Sequence, residues 1–317
     1  MAEVPLLFPS AEAQRLEPHL PVPSISSTGS NGDAVSPSAL PFVTLTFATS
    51  LDSALSLGPG IRTALSGPQS KAMTHYLRSR HDAICVGVGT AVADDPGLNC
   101  RIAADILRRE SSSSAGVGAL LGLASVSTGE AEIRETNNTI TASQPRPIVI
   151  DPRLRWDFTA ESKVMQLARA GEGLAPYIVT AVAQPPKSKT KLLEDLGGKF
   201  IVLDQPKSDG ASADSTSPSF DWRSILAAVR NEGLQSIMIE GGGAVINSLL
   251  SGENAQLVDS VIVTIAPTWL GQGSVFVSPP RQTSADGKPN AVARLTNTAW
   301  IPLGEDVVLC GKIATRG

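Results

Sequence analysis

Cysteine is scarce in this chain: Cys85, Cys100 and Cys310 are the only three in 317 residues, and none belongs to a C-x-x-C pair. An odd number without metal-ligand spacing excludes a disulfide-stapled scaffold, argues against a zinc centre and suits a reducing compartment. Histidine cannot take over as metal ligand, because His19, His75 and His81 are too few and too scattered. No strong charge of either sign is present. A formal net charge of −4 gives no footprint for nucleic acid or an anionic membrane surface. No apolar run approaches the length needed to span a bilayer, and the first residues lack a basic segment followed by a long apolar stretch. The expectation is a cytoplasmic protein with no metal, no nucleic-acid partner and no membrane partner. Several catalytic signatures are also missing: the G-x-S-x-G elbow, the G-x-x-x-x-G-K-[ST] phosphate loop, and the H-x-E with P-C-x-x-C of zinc deaminases.

Hydrophobic residues make up 42% of the chain, enough for a globular core. Residues 1–38 are rich in Pro, Ser and Gly and read as a flexible leader or an extended arm. From residue 39 onward a single domain is expected, with polar insertions at about 105–144 and 204–219. The β-branched run Phe42–Ala48 reads as a strand, and Gly58-Pro59-Gly60 as a turn. Between Pro68 and Arg80 the period becomes helical, with Lys71, His75 and Arg78 recurring on one cationic stripe. Apolar strands follow at 83–88, 148–151, 177–180, 200–203 and 258–266, with helices at 189–196 and 222–231, and 307–314 reads as a last, edge strand. Such alternation predicts an α/β fold with a mostly parallel central sheet flanked by helices.

Two corners carry chemistry. In Ser236–Leu250 an apolar strand ends in Glu240, three glycines follow, and a helical pattern begins at once. Glycine lets bare backbone N–H groups approach an anion such as a diphosphate, though the same motif also serves as a plain tight turn. The second corner, Val86-Gly87-Val88-Gly89-Thr90, lacks the third glycine of a Rossmann fingerprint and leads into Asp94-Asp95-Pro96 and Arg101. Asp94-Asp95-Pro96 reads either as a turn initiator or as part of a ligand-facing polar cluster. Arg78 and Arg101 read either as surface ion-pair partners or as forks for a phosphate.

These segments, with Pro41–Thr46, Ser50-Leu51-Asp52, Met73–Arg78 and Ala93–Arg101, resemble the riboflavin-biosynthesis reductase family from about residue 41 to 315. The resemblance implies a dihydrofolate-reductase-like fold, NADPH as hydride donor, and commonly a homodimer. It also implies reduction of a phosphorylated ribosylaminopyrimidine to its ribitylamino form. Carried over by motif, Thr90, Asp94 and the turn Gly241, Gly242, Gly243, Ala244 and Val245 would contact the cofactor, with Val202 at its adenosine end. Arg78, Leu98, Arg101 and Glu240 would face the substrate, and Asp94 and Glu240 would serve catalysis. Ser53-Ala54 stand where many relatives carry Gly-Lys, so a lysine role there does not transfer. The alternatives are a reductase of another pterin or pyrimidine, and a non-catalytic nucleotide-binding regulator.

Overall fold

The computed structural model of the protein describes residues 6–22, 40–102, 144–204, 220–283 and 287–314. Most of both expected insertions lies outside these residues.

Seven helices are described: α1 (Ser10–Leu16), α2 (Pro68–Ser79), α3 (Val88–Asp94), α4 (Lys163–Ala170), α5 (Lys187–Glu194), α6 (Trp222–Asn231) and α7 (Gly243–Leu249). The strands run β1 (Phe42–Thr49), β2 (Ala54–Ser56), β3 (Ala83–Gly87), β4 (Arg146–Ile150), β5 (Tyr177–Thr180), β6 (Lys199–Val202), β7 (Ser236–Gly241) and β8 (Ser260–Ile265). They continue as β9 (Val275–Phe276), β10 (Gln282–Thr283), β11 (Pro289–Asn290), β12 (Leu295–Leu303) and β13 (Asp306–Ile313). Nine form one sheet in the order β12-β13-β8-β1-β7-β3-β4-β5-β6. From β8 to β6 every pairing is parallel; β13 and β12 join antiparallel. The expected α/β class with a mostly parallel sheet is what forms.

Burial on both faces explains why the central strands are nearly continuous apolar runs. On β3, Ala83 and Cys85 pack with α6 and α7 through Leu226, Val229, Ile246 and Leu249. Alternate residues Ile84 and Val86 pack on the other face with Ala91, Val164 and Met165. Pairing fixes the directions of the strands, so the C-terminal ends of β3 and β7 lie side by side. Both glycine-rich corners leave from those two ends.

Three expectations change. The strand at 306–313 is not an edge, because β12 covers it with Ile301 opposite Val308. Val88 is not the end of a strand but the first residue of α3. Residues 6–20 are not a flexible leader: Phe8 and Leu16 are each 1% exposed, and Phe8 stacks on Tyr76 with ring centroids 5.2 Å apart. Burying such side chains stabilises by roughly 1.5–3 kcal/mol each, which offsets the entropy of ordering a short arm. Leu6 N–H also donates to the Arg101 carbonyl at 2.8 Å. Among the described residues no helix is long and apolar enough to cross a membrane, and no group of His, Cys, Asp and Glu could hold a metal ion.

Candidate active site

β7 reaches the site through an irregularity. Its pairing with β3 runs Cys85 opposite Ile239 and then Val86 opposite Gly241, so Glu240 is the extra residue of a bulge. A bulge bends the strand and re-aims the side chain it carries. Gly241 follows at φ 103°, a conformation that only glycine adopts freely, and a Cβ there would stand 2.6 Å from Ile246 Cδ1. A Cβ on Gly242 would come within 2.9 Å of Thr90 Oγ1, and one on Gly87 within 2.8 Å of Val245 Cγ2. The two corners are thus in direct contact through their glycines. Gly242 N–H donates to Thr90 Oγ1 at 3.2 Å.

Around this junction lies a cavity of about 710 Å³, lined by Gly87, Gly89, Thr90, Ala93 and Asp94 from one corner and Glu240 with Gly242 to Ile246 from the other. Phe47, Ala48, Leu55 and Val275 add apolar wall, while the segment 59–66 and Lys71 complete it. Such a volume suits a small-molecule ligand, and the mixture of bare backbone, apolar wall and convergent carboxylates is typical of binding clefts.

The carboxylates have different surroundings. Glu240 is gripped by Arg78 through two parallel bonds, Nε to Oε1 and Nη2 to Oε2, each 2.8 Å, with side-chain exposures of 18% and 13% for Glu240 and Arg78. Arg78 Nη1 donates to the Asn99 carbonyl at 3.0 Å. Burial alone would lower the guanidinium pKa, but the Glu240 carboxylate beside it leaves it above its ordinary value. Asp94 has no such partner. Its buried Oδ1 lacks any hydrogen bond, and burial raises its pKa, an effect that the charge of Arg62 partly opposes. Its neighbour Asp95 is consumed structurally, accepting the Lys163 N–H at the start of α4 at 3.1 and 3.2 Å.

The residues expected from sequence therefore separate into two groups. Thr90, Asp94, Glu240, Gly242, Gly243, Ala244 and Val245 meet at one cavity, with Gly241 immediately beside it. Arg78, Leu98, Arg101 and Val202 are not among the lining residues. Arg78 reaches the cavity only through Glu240. Leu98, at φ 52° and 2% exposed, packs into the apolar cluster of α3 and α4. The Arg101 backbone N–H donates to His75 Nδ1 at 3.2 Å, and its side chain lies against the same ring. Val202 is 43% exposed on the edge strand β6. The cationic stripe expected on α2 is also broken: His75 is 6% exposed, and burial with Arg78 and Arg101 nearby lowers its pKa to about 3. Sequence reasoning missed Arg62 and the cavity-facing position of Lys71. The stripe on α2 pointed to Lys71; nothing in the sequence singled out Arg62.

Comparison with known proteins fits this geometry. The family model described as the RibD C-terminal domain matches residues 41–309. The chain belongs to the RibD C-terminal domain family. Among members of that family, it is 33% identical over 274 residues to the 2,5-diamino-6-ribosylamino-4(3H)-pyrimidinone 5′-phosphate reductase of Candida glabrata, covering 86% of this chain and 89% of the relative. It is 34% identical over 276 residues to the reductase of the same name from Saccharomyces cerevisiae, covering 87% and 88%. The solved structure of the Saccharomyces riboflavin biosynthesis reductase Rib7 superimposes with a TM-score of 0.61 at 29% identity, covering 96% of this chain and 99% of that one.

Proposed function

We propose that this RibD-family chain reduces the ribosylamino side chain of 2,5-diamino-6-ribosylamino-4(3H)-pyrimidinone 5′-phosphate to ribitylamino, with NADPH as the reductant. The observation that carries the reading is the contact of Gly242 with Thr90 at one cavity that also presents Asp94 and Glu240. Relatives that cover most of this chain carry the name of that reductase.

The residues fit a dinucleotide. A Cβ on Gly242 or Gly243 would meet Thr90 Oγ1 at 2.9 Å or Val275 Cγ1 at 2.6 Å, so glycine is what lets this turn pack against Thr90 and Val275 at the cavity wall. Thr90 and Gly242 to Val245 would hold the cofactor, and a bound nicotinamide would supply the hydride for C1′ of the opened, imine form of the sugar. The chain's own task is then to orient the imine, exclude water and deliver a proton to the nitrogen. Asp94 is the residue suited to hold that proton, because burial with an unpaired Oδ1 favours its neutral form. Glu240, fixed by both arms of Arg78, is suited to accept hydrogen bonds from the amino groups of the pyrimidine. Holding the reactants at attack distance supplies up to roughly 7–11 kcal/mol in favourable systems, more than either acid.

A cytosolic homodimer completes the proposal. Its support is β12, which among the described residues pairs with a strand on one side only and carries Trp300 at 58% exposure. The test of function is the near-ultraviolet absorbance of NADPH with the ribosylaminopyrimidine phosphate added or withheld. Loss of absorbance only with substrate is expected; binding without consumption would instead favour a regulatory protein.

A further inference from the structure

Three segments build the Arg78–Glu240 pair: α2 carries Arg78, β7 carries Glu240, and the stretch after α3 supplies the Asn99 carbonyl. Residues 6–20 hold all three, although none of them lines the cavity. Phe8 and Leu16 belong to one buried cluster with Tyr76 and Leu77 of α2, Cys100 beside Asn99, and Met238 of β7. Leu6 adds backbone contact, donating its N–H to the Arg101 carbonyl and bridging in parallel to Ile102. Polar contacts then fix the end of α2. Arg80, the residue that closes the helix, lies two positions past Arg78 and so points to the opposite side. It pairs with Glu17, whose Oε1 also accepts the Tyr76 phenol at 2.5 Å, while Arg80 Nη1 donates to Tyr76 Oη at 3.0 Å. Burial, together with the Glu17 carboxylate, raises the Tyr76 pKa and keeps the phenol a donor. The last turn of α2 thus has a carboxylate on each side, Glu240 at the cavity and Glu17 on the arm.

We propose that Glu17, supported by Phe8, is a positioning residue: from outside the cavity the arm sets the place of the Glu240 carboxylate and with it the affinity for the pyrimidine. The inference rests on the reductase reading of the site, in which Glu240 receives the amino groups of the substrate. The arm precedes the matched family domain, which begins at residue 41. Arg78 holds both oxygens of Glu240, so a shift of the helix end carries the carboxylate with it. A displacement of about 1 Å at a positioning contact can cost on the order of 10²-fold. The cofactor turn rests instead on Thr90 and Val275, which lie outside the cluster of the arm. Loosening the arm should therefore separate pyrimidine binding from dinucleotide binding.

The test uses the full chain with Glu17→Ala, Glu17→Gln and Phe8→Ala, and with Glu17→Ala added to Glu240→Ala. Calorimetry measures binding of the pyrimidine phosphate and, separately, of NADPH, at a temperature where melting curves show each variant folded. Glu17→Ala should weaken the pyrimidine roughly fivefold, and Phe8→Ala at least as much, with NADPH affinity at its wild-type value. Glu17→Gln keeps an oxygen facing Tyr76 and Arg80 and should bind the pyrimidine more tightly than Glu17→Ala does. Once Glu240 is gone the arm has no carboxylate to place, so Glu17→Ala should cost nothing further in that background. If NADPH binding weakens as much as pyrimidine binding, the arm only holds the fold together and the assignment falls. Unchanged pyrimidine binding by Glu17→Ala also overturns it, as does a full loss on top of Glu240→Ala. Should the wild type bind the pyrimidine phosphate and never consume NADPH, the reductase reading fails while the role of the arm is decided by the binding data alone.

Discussion

Two carboxylates line one cavity under opposite provision. Glu240 sits on a bulge with a guanidinium bound to both of its oxygens, whereas Asp94, one helical turn after Thr90, has a buried oxygen with no partner. The first arrangement holds a charge in a fixed place; the second favours a proton. A site that pins one carboxylate between the nitrogens of a guanidinium and buries the other without a partner can divide a binding role from an acid role. Sequence identity of the two residues as acids says nothing of this division, which depends on a partner 162 positions away for Glu240 and on burial for Asp94.

The contrast can be broken most forcefully at Arg78. Arg78→Ala strands Glu240 in a half-buried place, and stability should fall by about 3 kcal/mol with most activity lost. A wild-type melting curve for that variant would show that the pair does not hold the site together. Next in size is Asp94→Asn, for which kcat should fall by roughly 10²-fold or more while the protein melts no lower than wild type. The sign follows from the raised pKa: the folded state favours protonated Asp94, so stability from this group is full below the ordinary carboxylate range and is lost as pH rises through the raised value. The melting advantage of Asp94→Asn should therefore widen from acid to neutral pH. The fall of kcat with rising pH that Asp94 imposes as an acid should vanish in the same variant; an identical pH profile would take the proton from Asp94.

Smaller effects sharpen the junction between the walls. Gly242→Ala puts a Cβ 2.9 Å from Thr90 Oγ1 and should cost about 1–2 kcal/mol, partly recovered when Thr90→Ala is added. Additive costs in the double variant would mean that the two corners are energetically independent. Least is expected of Trp300→Glu, whose exposed side chain leaves the fold alone but should shift sedimentation from dimer to monomer.

Much of the frame was legible in the amino-acid order. The run Ile148–Ile150 is apolar on both faces because the sheet is covered on both sides. Phe42–Ala48 instead alternates Val43, Leu45 and Phe47 on one face with the buried threonines Thr44 and Thr46 on the other, and both patterns read as strands. The glycine corners were legible for a similar reason, since Gly241 at positive φ and Gly242 against Thr90 tolerate little else. What escaped was set by tertiary contact. The arm at 6–20 hides Phe8 and Leu16 in a Pro- and Ser-rich leader, and β12 hides a covering strand in the polar order Thr296-Asn297-Thr298. Arg78 looked free on a cationic stripe because the stripe does not reveal Glu240 or the buried, neutral His75. Arg62 was silent because no periodicity tells which cation of an irregular segment turns toward a cavity.

In the proposed reaction a nicotinamide bound in the cavity beside the Thr90–Gly242 contact would give its hydride to the sugar carbon bonded to nitrogen. Turnover with NADPH deuterated at the transferring position of its nicotinamide, followed by mass and proton spectra of the product, reads this directly. One deuterium at C1′ of the ribityl chain is the predicted result. Product without deuterium, or with deuterium at another carbon, would contradict it.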